Sequence, residues 1–226
     1  MAEVCGRYTV RTSEQGPLAA RFGVGDVPRE ALARHNVAPT EPVLAVVAGE
    51  DGSRESRMLR WGLAPSWATL RGARPLINAR DDKLRSSGAW KGLVCDSAHR
   101  CLIVADGWLE WSKPERPRAP KQAFLHELPG GEPFALAGLW CVARPKDADE
   151  PVASCTIVTV AANREAAVLH DRMPAVLDGP DAEAAWLHAA VDLDAALDLV
   201  RPLPEGRIRV SPVPPPVRDE PQPALF

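Results

Sequence analysis

Four side chains scattered along this chain are the parts of an activated-nucleophile site: the Cys5 thiol, the Asn78 amide, the Glu110 carboxylate and the His170 imidazole. Cys5 lies in Val4-Cys5-Gly6-Arg7-Tyr8, close to the first residue, where chains are usually frayed. The apolar–polar–apolar run Tyr8-Thr9-Val10 predicts a short strand that would tie this segment into a sheet and hold the thiol still. Glu110 sits in Trp108-Leu109-Glu110-Trp111, where a carboxylate is partly desolvated and its pKa rises. His170 precedes Asp171, Arg172 and the stop at Pro174, so it projects from a loop; Asn78 closes the apolar pair Leu76-Ile77. Each has a bland reading. A free cysteine is most often a small buried hydrophobe, a lone histidine is usually structural, and Glu110 could pair with an arginine. Spacing alone does not bring the four together.

The elements that must position them can be read in order. Thr12-Ser13-Glu14-Gln15 fits a capping box, predicting a helix from Thr12 as N-cap to about Phe22, stopped by Gly23. His35–Pro39 reads as a loop. Val43–Ala48 and Met58–Leu63 read as strands joined by hairpin turn chemistry at Gly49-Glu50-Asp51-Gly52. Cys101–Ala105 is predicted as a fully buried strand, broken by Asp106-Gly107. A basic, proline-rich loop follows at residues 113–121. Ala123–Leu128 and Phe134–Val142 predict a second hairpin over Pro129-Gly130-Gly131, and Ser154–Ala161 a further strand. Helical segments are expected through Ala166–Leu169, from Pro180 to about Ala190, and near Asp192–Val200. With no repeat and no internal linker, the pattern predicts a single α+β domain.

Composition narrows the class. Hydrophobic content of 46% and charged content of 25% are those of a globular chain, and no apolar run approaches membrane-spanning length. Five cysteines with no Cys-x-x-Cys pair argue against a zinc site or a disulfide framework and for a reduced, cytoplasmic setting. The net charge of −3 conceals a basic middle: residues 54–100 carry ten Lys/Arg and four Asp/Glu. Residues 145–226 reverse this with seven and fourteen. One electropositive face would suit a polyanion. Seven tryptophans against one tyrosine leave some indoles available to stack on flat ligands.

The ordered set Cys-Gly-Arg-Tyr at 5–8, Asn-Val-Ala-Pro at 36–39, Trp-Gly-Leu-Ala-Pro at 61–65 and Ile-Asn-Ala-Arg at 77–80 resembles the SOS-response-associated peptidase (SRAP) family. Ala-Asp-Gly-Trp-Leu-Glu-Trp at 105–111, Ala-Gly-Leu-Trp at 137–140 and His-Asp-Arg-Met-Pro at 170–174 continue it over most of the chain. The resemblance implies a compact, barrel-like fold of curved antiparallel sheets with flanking helices. It also implies a sensor of abasic sites in single-stranded DNA, nucleoid-associated when bound, acting as a monomer without cofactor, metal or membrane. Cys5, Asn78, Glu110 and His170 fall on the family's active-site positions, and Arg7, Asn36, Trp67, Arg80 and Arg172 on its DNA contacts. The family's cysteine links to the ring-opened sugar as a thiazolidine, which needs a free α-amine on that cysteine.

Here Met1–Val4 precede Cys5, whereas the family's cysteine directly follows the initiator methionine. Residues 1–4 are therefore expected to be a leader or a misassigned start, 5–211 the SRAP-like domain and 212–226 a proline-rich tail. Three readings stand side by side: a covalent abasic-site sensor, a thiol autopeptidase cutting its own leader, and a noncovalent single-strand binder.

Overall fold

The computed structural model describes residues 5–113, 116 and 120–216. The expected leader, most of the proline-rich tail and part of the basic loop at 113–121 lie outside these residues. The first part of the chain forms β1 (Tyr8–Val10), α1 (Gln15–Phe22), β2 (Arg34–Val37), β3 (Pro42–Ala48), β4 (Arg54–Trp61) and β5 (Asn78–Arg80). Two short helices, α2 (Asp81–Leu84) and α3 (Lys91–Cys95), lead to β6 (Arg100–Ala105), β7 (Gly107–Trp111), β8 (Ala123–Glu127), β9 (Phe134–Ala143) and β10 (Val152–Ala161). Then come α4 (Arg164–Ala167), β11 (Arg172–Pro174), β12 (Val176–Leu177), α5 (Pro180–Leu187), α6 (Leu193–Leu199) and β13 (Arg209–Val213).

Strands β4, β3, β6, β9 and β10 pair in a ring, because β10 bonds to both β4 and β9. Closure removes the exposed strand edges that an open sheet must protect. The continuous apolar run of β6 follows from this placement: one face looks into the ring and the other is covered by α5. The Trp186 indole of α5 donates to the Cys101 carbonyl at 3.1 Å. Gly138 on β9 is required by close packing, since a Cβ there would lie 2.7 Å from Cys101 Sγ. Pairing is mostly antiparallel, but β10 runs parallel to β4 and β5.

A second sheet, in the order β13-β8-β7-β1-β2, packs against the ring. Tyr8 is the hinge of that packing: it lies in β1 and meets Trp61 of β4 edge to face at 5.2 Å. The architecture is the expected α+β, barrel-like single domain.

Three local expectations were overturned. The capping box does not form: α1 starts at Gln15 with Glu14 as N-cap, and the Gln15 amide donates to Val27 O at 2.6 Å. Thr12 is instead committed through its carbonyl, which accepts from Ala33 N. The helix does end on Gly23 in the left-handed region, as expected. β8 and β9 do not form a hairpin, because β8 joins β7 and β13 while β9 joins the ring. And residues 34–37, read largely as loop, form β2 along β1. The unexpected strand β13 reaches to Val213, so the tail's first residues are paired with β8.

Candidate active site

The register of β1 against β7 sets the first half of the site. Tyr8 lies opposite Trp108, and Leu109 N donates to Arg7 O at 2.9 Å, so Cys5 is carried toward Glu110. Cys5 then turns out of the ladder with φ 48, in the left-handed region. A non-glycine residue there is strained and held by its surroundings. The turn lets the Cys5 backbone nitrogen donate to Glu110 Oε1 at 2.7 Å. In this chain that nitrogen is an amide; in a chain beginning at Cys5 the same atom would be the α-amine.

Both partners are buried: Cys5 is 0% exposed and Glu110 6%. Burial raises the Glu110 pKa to about 7, although the hydrogen bond from Cys5 opposes the shift. Burial, with the Glu110 charge beside it, also pushes the Cys5 thiol well above its ordinary value. The thiol is therefore held in its neutral form, and the Glu110 carboxyl changes charge near neutral pH. Arg7 folds back to donate to Gly6 O at 2.7 Å.

Other candidate residues are organised by β10. Asn78 and Arg80 lie on β5, opposite Ile157 and Thr159; Arg172 lies on β11, opposite Ala161. Tyr8 contacts Trp61, whose indole nitrogen donates to Ile77 O at 3.0 Å, immediately before Asn78. His170 follows α4 with its ring half-buried. Its Nδ1 accepts from Arg172 N at 3.1 Å and lies 2.8 Å from Asp171 Oδ1.

The residues expected to touch DNA differ in how far they are free to do so. Trp67 is 54% exposed. Asn36 on β2 is buried. Arg80 is exposed and forked onto Asp82, at 2.9 Å and 3.1 Å. That hydrogen-bonded pair raises the Arg80 pKa and lowers that of Asp82. Arg172 is only 9% exposed and donates to Asp81 Oδ1 at 2.6 Å and to the Thr159 carbonyl. Its charge is directed to these partners rather than presented to solvent. Sequence reasoning missed Asp81 and Asp82, although two acids directly after Arg80 at a helix start were a legible sign of arginine partners. Tyr8 and Trp61, the struts of the site, carried no such sign.

These contacts separate two arginines by experiment. Arg172→Ala removes the buried donor to the Thr159 carbonyl and Asp81 and is expected to destabilise the protein by ~1–3 kcal/mol in urea melts. Arg80→Ala breaks an exposed pair and is expected to change stability by under ~1 kcal/mol.

The family model described as SOS response associated peptidase (SRAP) matches residues 4–220. The chain belongs to the SRAP family. A SRAP relative, the abasic site processing protein YoqW of Bacillus subtilis, is 31% identical over 205 residues, covering 88% of this chain and 87% of its own. The abasic site processing protein YedK of Escherichia coli is 31% identical over 192 residues, covering 83% and 81%. The abasic site processing protein HMCES of Gallus gallus is 31% identical over 176 residues, covering 68% of this chain but 52% of its own length. The chain thus spans about half of that vertebrate relative. A solved protein from Bacteroides thetaiotaomicron shares the fold with a TM-score of 0.80 at 20% identity, covering 93% and 92% of the two chains. A phage-related protein of Bordetella bronchiseptica aligns with a TM-score of 0.71 at 26% identity, covering 92% and 94%.

No helix among the described residues is long and apolar enough to cross a membrane, and none of their His, Cys, Asp or Glu residues group into a metal-binding set.

Proposed function

We propose that this chain captures abasic sites in single-stranded DNA as a covalent adduct on Cys5. The observation that carries this reading is the 2.7 Å contact between the Cys5 nitrogen and the buried Glu110 carboxyl, with its pKa of about 7. The relatives named abasic site processing proteins supply the substrate.

Ring-opened deoxyribose presents an aldehyde. A neutral α-amine on Cys5 adds to it, giving a carbinolamine. Glu110 accepts the proton lost by nitrogen and returns one to the hydroxyl, which leaves as water; the product is an imine. The thiol then adds to the imine carbon. A C–S bond forms, the thiol proton passes to nitrogen, and a five-membered thiazolidine closes. No oxidant or reductant is needed. Burial of Cys5 protects the adduct from hydrolysis. Asn78 orients the sugar, and His170 relays protons during sugar ring opening. Arg7 and Arg80 hold phosphates, Asn36 lines the strand's path, and Trp67 stacks on a base. Arg172 fixes α2 and β11 around them.

A second reading concerns the same contact. Glu110 points at the nitrogen of the Val4–Cys5 amide, which is the leaving group if the Cys5 thiol attacks the Val4 carbonyl. The acyl group then sits on the thiol as a thioester, and water hydrolyses it, releasing the leader as a carboxylic acid and leaving Cys5 with a free amine and thiol. The same residues would act once as a thiol autopeptidase.

Intact-mass spectrometry tests both. A chain beginning at Cys5, mixed with an oligonucleotide containing one abasic site, is expected to gain the mass of one oligonucleotide less one water and to keep it through denaturation. Cys5→Ala is expected to show no gain. Reversible binding without any adduct in the parent would leave a noncovalent single-strand binder.

A further inference from the structure

A cavity of about 260 Å³ has a lining that includes Arg60, Leu63, Trp67, Leu70, Pro75 and Leu76. We propose that it takes the base of the nucleotide next to the abasic position, and that Arg60 reads guanine there. This inference rests on the function proposed above.

The size comes first. Drug-sized ligands occupy roughly 300–1,000 Å³, so this cavity suits a single planar ring system. Its walls are mostly apolar side chains, which suit the faces of a nucleobase, and its polar lining includes Arg74 as well as Arg60. Trp67, one of the few large apolar side chains left exposed, forms part of the lining and offers a stacking face.

Arg60 supplies the polar edge. It is partly buried, and that burial lowers its pKa. Its Nη1 donates to the neutral Gly62 carbonyl at 2.7 Å, and no carboxylate among the described residues pairs with it. A guanidinium held in a cavity with N–H groups to spare calls for an acceptor. The O6 and N7 of guanine form the acceptor pair that arginine matches bidentately. Adenine presents a donor at the corresponding N6, which a guanidinium cannot meet.

Position completes the case. Leu76 lines the cavity and stands two residues before Asn78, so their Cα atoms lie at most about 7 Å apart. That is about twice the 3.4 Å rise per nucleotide of a stacked strand, the reach of a strand unstacked at a missing base. The base beside the gap falls at the cavity.

The test uses oligonucleotides carrying a tetrahydrofuran abasic analogue, which has no aldehyde, so binding is read apart from adduct chemistry. Guanine, adenine or a second baseless spacer is placed on either side of the analogue, and affinity is measured by fluorescence anisotropy. On one side, guanine is expected to bind about tenfold tighter than adenine, and the spacer weakest. Arg60→Met is expected to erase the guanine preference while keeping base over spacer; Trp67→Ala is expected to erase base over spacer. Equal affinity for all flanks on both sides in the unsubstituted protein overturns the proposal without reference to any variant. Mass-detected capture of true abasic DNA in the same flanks reports separately on the underlying function.

Discussion

Replacing Glu110 with Gln is expected to slow adduct formation on abasic DNA by roughly 10²–10⁴, the usual worth of a positioned acid–base group, while making the protein more stable above neutral pH. The two effects have one origin. Glu110 is buried where its charged form is poorly solvated, so its folded-state pKa stands at about 7 against 4.5 in water. The folded state thus binds this proton more tightly than the unfolded chain. Below about pH 4.5 both states are protonated and the site imposes no penalty. As pH rises toward 7 the unfolded chain ionises first and stability falls. Above 7 the full penalty stands, about 3 kcal/mol at 1.36 kcal/mol per unit. Gln keeps an oxygen to accept from the Cys5 nitrogen and carries no charge. Urea melts at pH 5 and pH 8.5, with single-turnover capture rates at saturating DNA, check both halves. Unchanged capture by the Gln variant would remove Glu110 from the mechanism.

The second large effect concerns the residues before Cys5. A chain that retains Val4 has an amide where the imine must form, so it is expected to give no thiazolidine, whereas one beginning at Cys5 captures abasic DNA fully. Protein made from Met1 captures DNA only after the Val4–Cys5 bond is broken. If the chain's own site breaks it, Asn78→Ala and Glu110→Ala leave residues 1–4 attached, which intact mass reads directly. A thiazolidine-type adduct on protein still carrying Met1–Val4 would falsify this account.

What the sequence revealed depended on how local the deciding physics was. The β3–β4 hairpin was legible because apolar runs and a Gly-containing turn lie side by side and pair with each other. Over Pro129-Gly130-Gly131 the turn chemistry was also real, since both glycines have positive φ. Yet the flanking strands part into different sheets, a choice made by distant partners. β2 and β13 were missed because Arg34, His35 and Asn36, or Pro212, are poor strand formers. They are held by pairing with β1 and β8, and in β13 by the Arg209–Glu127 ion pair. In the site, the chemical groups were visible as residue types and motif matches. The Cys5–Glu110 contact was foreshadowed by the apolar neighbours of Glu110 and by the family motifs that carry both residues. The burial of Arg172 was invisible, because nothing in His-Asp-Arg-Met-Pro shows that Asp81 and the Thr159 carbonyl await it.

The contact between Cys5 and Glu110 spans 105 residues of chain, and this bears on when the protein becomes reactive during its own synthesis. Contacts of such long sequence separation form late, since loop closure must precede any gain from them. At about 5–20 residues per second, Cys5 waits roughly 5–20 s before Glu110 has even been made, and longer for β8 and β10 to brace their sheets. Throughout that interval Cys5 is an ordinary cysteine on an unfolded segment. An external aminopeptidase working on the nascent chain would therefore trim the start before any site exists, whereas removal by the chain itself must follow release and folding. Pulse-labelled chains stalled before residue 110 distinguish the two: a mature start on stalled chains means that Cys5 is exposed by others and armed only afterwards by the fold.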